Sequence, residues 1–141
     1  DELKRISKHQ IIWGGNYFDL PPTKCWIVWD KEQRDFSLAD GEMAWASFDK
    51  AMRIFELSRG AANTETKIHP TQKPIRLYEW ILSKFAKKGQ RVFDSHLGSG
   101  SSAIAAHYFG VDFVGTELDK DYFEAAKARF DMATKQLAMS I

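Results

Sequence analysis

The stretch from Arg91 to Asp119, RVFDSHLGSGSSAIAAHYFGVDFVGTELD, constrains the fold more than any other part of this 141-residue chain. Arg91 to Phe93 reads as a short buried strand, followed by a carboxylate, Asp94, and a turn rich in glycine and serine. Ser101 to Tyr108 is alanine-rich, and Ala103, Ile104, Ala106 and Tyr108 give a helix one face to lay on a sheet. Val111 to Val114 is β-branched and aromatic, the composition of a second buried strand, and Glu117 follows it. Strand, glycine turn, helix and strand make a βαβ unit, whose first turn receives a ligand at the carboxyl ends of the strands.

The two acids decide which ligand. Gly98-Ser99-Gly100-Ser101-Ser102-Ala103 satisfies the G-x-G-x-x-G/A pattern, and Glu117 lies about twenty residues on, where a ribose-binding acid is expected. Spacing alone therefore permits a dinucleotide such as NAD. Asp94 argues against it, because a carboxylate leaving the strand straight into the turn meets a pyrophosphate with like charge. An ammonium group is attracted there instead. A ligand with an α-amino group at one end and a ribose at the other fits both acids, and S-adenosylmethionine is such a ligand. The plainer alternative is that Asp94 only caps the turn and Glu117 is a solvated strand end.

A hydrophobic fraction of 44% marks a globular chain, and a net charge of +1 excludes binding to nucleic acid or membrane through bulk positive charge. Cys25 is the one cysteine, so no internal disulfide is available, and its apolar setting suits a buried strand thiol. With no signal peptide and no apolar run near membrane-spanning length, the expected setting is reduced and cytoplasmic.

Along the chain, Asp1 to Lys8 resembles the tail of a helix without its cap, and Gln10 to Trp13 a strand stopped by Gly14-Gly15-Asn16. Cys25 to Trp29 is the next strand. Glu42 to Phe48 and Ala51 to Leu57 are expected to pair as a hairpin around Asp49-Lys50. Ser58 to Lys73 has few apolar residues and reads as a functional loop. Pro74 opens a helix through Phe85 with Ile75, Leu77, Tyr78, Ile81, Leu82 and Phe85 on its buried face, closed by Gly89. Asp119 caps a last helix to about Gln136, amphipathic through Tyr122, Phe123, Ala126 and Phe130.

Several stretches together resemble one family. Ile11 to Phe18 with Leu20-Pro21-Pro22, Cys25 to Lys31, Glu42 to Trp45, His69-Pro70-Thr71-Gln72-Lys73-Pro74 and Asp94 to Ser101 are similar, in order, to the amino-group DNA methyltransferases of the small, often phage-encoded kind. The resemblance implies an α/β, Rossmann-like methyltransferase fold, permuted so that the cofactor unit (91–137) comes last, with a short target-recognition region at about 32–68. It implies S-adenosylmethionine as methyl donor and double-stranded DNA as substrate, in a restriction-modification setting. The acceptor is the amino nitrogen of a flipped-out adenine, with cytosine the alternative. His69, Thr71 and Lys73 are placed against the methionine carboxylate, and Asp94, His96, Gly98, Ser99, Gly100, Ser101 and Glu117 around the rest of the cofactor.

Two departures stand out. The family turn, Asp-Pro-Phe-x-Gly-Ser-Gly-Thr, has become Asp94-Ser95-His96-Leu97-Gly98-Ser99-Gly100-Ser101, which is expected to loosen it. The catalytic Asp-Pro-Pro-Tyr tetrapeptide is absent, and Asp19-Leu20-Pro21-Pro22 differs from it in order and register. The tetrapeptide is expected upstream of Asp1, so the chain reads as a C-terminal portion, incomplete at its N-terminus and inactive alone. A second chain or an upstream segment is expected to complete its sheet. No catalytic residue is assigned.

Among the other candidates, His9, His69, His96 and His107 show no metal-ligand spacing, so no metal is expected. Trp13, Trp26, Trp29, Trp45 and Trp80 fall in apolar patterns and read as core. Lys31, Arg34, Arg53, Arg59 and Lys67 are candidates for DNA phosphate contacts, with a solvated face as the alternative. Gly14-Gly15-Asn16 is a candidate border of the base pocket. An NAD-dependent oxidoreductase and a non-catalytic remnant that binds nucleic acid or a partner chain remain as other functions.

Overall fold

A computed structural model describes residues 2–65 and 67–139. Asp1 of the expected first helix and Thr66 of the expected loop lie outside the described residues. The chain divides into two compact units, 1–61 and 62–141.

The first unit contains helix α1 (Glu2–Ile6), strand β1 (Ile11–Trp13), a 3-10 turn (Gly15–Tyr17), and strands β2 (Cys25–Asp30), β3 (Gly41–Ala46) and β4 (Arg53–Glu56). They form one sheet in the order β1-β3-β2-β4, with β3 antiparallel to β1 and β2, and β4 parallel to β2. Strand β2 is central because Cys25, Ile27 and Trp29 alternate into a buried face. Both buried tryptophans satisfy their N–H groups: Trp29 donates to the Leu57 carbonyl at 2.9 Å and Trp45 to the Pro21 carbonyl at 2.7 Å. Trp13, Trp26 and Trp80 are half-buried. Cys25 is the buried free thiol the sequence implied, and burial pushes its pKa up.

The expected hairpin is not formed. Strands β3 and β4 do not pair, because β2 lies between them. Residues 47–52 pass the start of β2, where Lys24 forms an ion pair with Asp49, so Asp49-Lys50 is part of a longer link. Strand β4 suits an edge, since Arg53, Ile54 and Glu56 are exposed, whereas the apolar β2 needs a neighbour on both sides.

The expected loop 58–73 contains one helical turn, α2 (Arg59–Ala62). The second unit then runs α3 (Ile75–Phe85), β5 (Arg91–Asp94), α4 (Ser101–Phe109), β6 (Asp112–Gly115) and α5 (Lys120–Met139). Strands β5 and β6 are parallel, with Asp94 opposite Gly115. Leu82, Ala105 and Ala106 form one buried cluster of the core, and Ile75, Tyr78, Val92, Phe109 and Phe113 pack around them. The small side chains of α4 let α3 approach closely. Asp119 caps α5 as expected, its carboxylate accepting the Tyr122 N–H at 3.0 Å.

Strands β5 and β6 were expected to be buried, and they are buried on one face only. Val92 and Phe113 enter the core, but Phe93 and Val114 are 44% and 58% exposed. The cause is the alternation of side chains on a two-stranded sheet covered by helices on one side. Gly89 does not close α3. The helix ends at Phe85 with Ala86 extended, and Gly89, at φ 84°, turns the chain toward β5. Among the described residues, no helix is long and apolar enough to cross a membrane, and no cluster of His, Cys, Asp and Glu is suited to a metal.

Candidate cofactor site

The site is built where the two parallel strands end. Asp94 is the last residue of β5, and the chain then turns through Ser95 to Gly100 into α4. Gly98 and Gly100 have φ of 56° and 84°, a region that side chains disfavour. Gly100 also lies under α5: a Cβ there would stand 3.3 Å from the Ala126 Cβ and carbonyl oxygen.

Both acids are bonded into this turn. One Asp94 oxygen accepts the His96 N–H at 3.1 Å and the other the Ser102 hydroxyl at 2.6 Å. Glu117, just past β6, accepts the Gly98 N–H at 2.9 Å and the Asp119 N–H at 3.0 Å. Its pKa is lowered by the Asp119 N–H first and the Gly98 N–H second, against a small desolvation penalty. Each carboxylate oxygen has taken one of these donors and retains a further lone pair for a ligand.

Serine and histidine in place of the family's proline and aromatic do not leave the turn untied. The Ser95 carbonyl accepts the Thr116 hydroxyl at 3.0 Å, and the Leu97 N–H reaches the Thr116 carbonyl at 2.8 Å. The exposed His96 ring shares a 2.8 Å hydrogen bond with the Ser95 hydroxyl.

Of the segment leading into α3, His69 is brought to the turn. Its ring packs on Tyr122 with centroids 4.4 Å apart, and a Cβ on Gly98 would lie 3.9 Å from it. Thr71 is exposed, with its N–H at 3.2 Å and its hydroxyl at 3.1 Å from His69 Nδ1. Lys73 is half-buried beside Pro74. The start of α3 holds a protein anion: both Glu65 oxygens accept the Ile75 N–H at 2.9 Å. Sequence reading missed Glu65, Ser102 and Arg129. Arg129 carried a signal, as a charged residue three positions after Ala126 and beside Phe130 on the buried stripe of α5.

An apolar recess of about 450 Å³ lies among α4, β6 and α5, lined by Leu97, Ala103, Phe113, Phe123 and Phe130 with others. It borders the turn at Leu97 and Gly100 but includes neither Asp94 nor Glu117.

The candidate phosphate contacts differ in their surroundings. Lys31 meets Glu42 at 2.8 Å and lies 4.8 Å from the centre of the Trp29 ring, and Arg34 grips both Asp30 oxygens at 2.9 and 2.8 Å. The Arg34 bonds hold the Asp30 carboxyl at a pKa of about 2. Arg53, Arg59 and Lys67 are exposed. Gly14-Gly15-Asn16 enters the 3-10 turn, and the buried Gly15 lies so close to Trp45 that a Cβ there would stand 2.5 Å from the Trp45 Cβ.

Comparison with known proteins gives this arrangement its family. A 63-residue stretch, 45% of this chain, is 36% identical to the type II methyltransferase M2.DpnII of Streptococcus pneumoniae. A 69-residue stretch, 49% of the chain, is 36% identical to the type II methyltransferase M.HpaI of Haemophilus parainfluenzae. The matched stretches span 24% and 22% of those proteins' own lengths. Among solved structures, the M1.HpyAVI–SAM complex superposes with a TM-score of 0.57 at 29% identity, over 74% of this chain and 59% of that one. The PvuII cytosine-N4-specific DNA methyltransferase shares the fold, with a TM-score of 0.58 at 15% identity over 79% of this chain and 55% of that one. The fold is therefore the mixed α/β, Rossmann-like fold of these methyltransferases. The DNA methylase profile for amino-group (N6 and N4) enzymes matches residues 4–128, and the chain belongs to that family.

Proposed function

We propose that this chain carries the cofactor-holding part of an S-adenosylmethionine-dependent DNA methyltransferase acting on the exocyclic amino group of adenine, with cytosine the alternative. The observation that carries the reading is the placing of Asp94 and Glu117. They stand at the ends of adjacent parallel strands, both bonded to one glycine turn. That geometry suits a ligand with a cationic amino acid end and a ribose, and two carboxylates suit a pyrophosphate poorly. The bound SAM of M1.HpyAVI adds support from a relative.

S-adenosylmethionine, when bound, supplies a methyl group on a sulfonium. The residues of this chain would hold and orient it. Asp94 receives the ammonium, Glu117 the ribose hydroxyls, and the backbone from His96 through Gly98, Ser99 and Gly100 to Ser101 the body of the ligand. His69, Thr71 and Lys73 serve the carboxylate end. Arg59 and Lys67 would contact DNA phosphates directly, while Lys31 and Arg34 would first exchange their carboxylate partners. The open face bearing Phe93 and Val114 would be covered by a second chain or a further segment. The unpaired Cys25 suits a reduced, cytoplasmic setting.

Activation of the amino nitrogen needs a hydrogen-bond acceptor and a stacking aromatic beside a flipped base. No Asp-Pro-Pro-Tyr tetrapeptide is present in these 141 residues to supply them. Residues 1–141 alone are therefore expected to bind S-adenosylhomocysteine without transferring methyl groups. Titration with S-adenosylhomocysteine and with NAD tests the cofactor, and tighter binding of NAD removes the reading. Adding a tetrapeptide-bearing segment and assaying labelled methyl transfer to DNA separates an enzyme part from a non-catalytic remnant. Nucleoside analysis of the product distinguishes adenine from cytosine.

A further inference from the structure

The glycine turn is braced by one side chain. Arg129, on α5, is 12% exposed, and its partner Glu65 19%. Arg129 Nη1 donates to the Ser101 hydroxyl at 2.8 Å, the Ser99 carbonyl at 3.1 Å and the Ser99 hydroxyl at 3.3 Å. Nη2 meets Glu65 Oε1 at 3.5 Å, and the same carboxylate accepts the Ile75 N–H that opens α3. The two serine hydroxyls also bond to each other at 3.0 Å, and both serines are buried. One guanidinium thus spans from the glycine turn to the start of α3. Burial lowers the Arg129 pKa and raises that of Glu65, while each charge opposes the shift of the other.

A turn with glycines at 98 and 100 has little stiffness of its own. A ligand that must first order it binds more weakly than one that meets it already shaped. The planar fork of arginine can hold a carbonyl, two hydroxyls and a carboxylate together, which the single ammonium of lysine cannot match.

We propose that Arg129 is a positioning residue: it holds Ser99 to Ser101 in the shape that receives the cofactor, and through Glu65 it ties that shape to the start of α3. The proposal rests on the cofactor reading above. Its test compares the wild-type chain with Arg129→Lys and with the pair Arg129→Met/Glu65→Gln. The pair leaves no unmatched charge and keeps an acceptor for the Ile75 N–H, so it remains informative if Arg129→Lys fails to fold.

The first readout is hydrogen exchange of the Gly98 and Gly100 amides without ligand, which bond to Glu117 and to the Leu97 carbonyl. The second is affinity for S-adenosylhomocysteine. Both variants are expected to exchange these amides about tenfold faster, with β5 amides unchanged, and to bind about tenfold more weakly, the scale of one charged hydrogen bond. Lower melting temperature with wild-type turn exchange and wild-type affinity overturns the proposal. If the wild type binds no S-adenosylhomocysteine, the cofactor reading falls, and the exchange contrast alone decides whether Arg129 shapes the turn.

Discussion

Replacing Glu117 with alanine removes the acceptor of two backbone N–H groups, those of Gly98 at 2.9 Å and Asp119 at 3.0 Å. A hydrogen bond to a charged group contributes ~1.5–3 kcal/mol where water is excluded. Glu117 is only partly covered, so water recovers much of each bond and the expected loss is about 1–2 kcal/mol in total. The same two donors lower the folded pKa of Glu117, which fixes the sign of the pH dependence. A carboxyl with a depressed folded pKa contributes stability that is full above its unfolded value, near ~4.3, and lost as pH falls through the folded value. Urea unfolding followed through NMR signals of α4 reads the second unit by itself. The Glu117→Ala chain should be less stable by about 1–2 kcal/mol at pH 7, with the gap closing below about pH 4. With Glu117 holding the ribose as proposed, affinity for S-adenosylhomocysteine should fall at least about tenfold. A gap that is absent at pH 7, or constant from pH 7 into acid, refutes the hydrogen-bonding role given to Glu117.

Other consequences can be measured separately. Ile27 is fully buried on the central strand, so Ile27→Ala should cost about 2–5 kcal/mol in denaturant unfolding of the first unit, and a loss under about 1 kcal/mol contradicts its place in the core. Gly100→Ala should cost more than Gly89→Ala, although each meets ~1–2 kcal/mol of left-handed strain, because only Gly100 also lies against Ala126; equal losses disprove the close approach. Asp30 should titrate at about 2 by carboxyl NMR, and in Arg34→Ala it should return toward the ordinary value of ~3.9. Because its folded pKa is depressed, the stabilising effect of that pair is present above pH ~4 and disappears as pH falls toward 2. A midpoint that Arg34→Ala leaves unmoved means that the ion pair does not form in solution.

The βαβ unit was legible because its instructions are local. Short apolar runs, β-branched and aromatic, marked β5 and β6, glycines marked a turn of positive φ, and Asp119 marked the start of α5, whose first turn it caps. The buried Cys25 was likewise written in the apolar run around it. The order β1-β3-β2-β4 was not legible. Asp49-Lys50 looks like a hairpin turn until β2 is known to lie between β3 and β4, and that depends on partners distant in sequence. The open face of β5 and β6 escaped for a related reason, since apolar residues at Phe93 and Val114 report a preference for cover without supplying it. The glycines and Glu117 were singled out by spacing and Asp94 by its charge at the turn, and the structure brings them together there. The brace of Arg129 and Glu65 joins residues 64 positions apart, and no local pattern encodes such a contact.

Calorimetric titration of the wild type and Asp94→Asn with S-adenosylhomocysteine and with its desamino counterpart tests most directly whether Asp94 receives the amino end of the ligand. If it does, removing the ligand's amino group and removing the carboxylate's charge each weaken binding by about ten- to a hundredfold, and the two losses together scarcely exceed either alone. Equal affinity of the wild type for both ligands, or losses that simply add, would show that Asp94 does not meet the ammonium group.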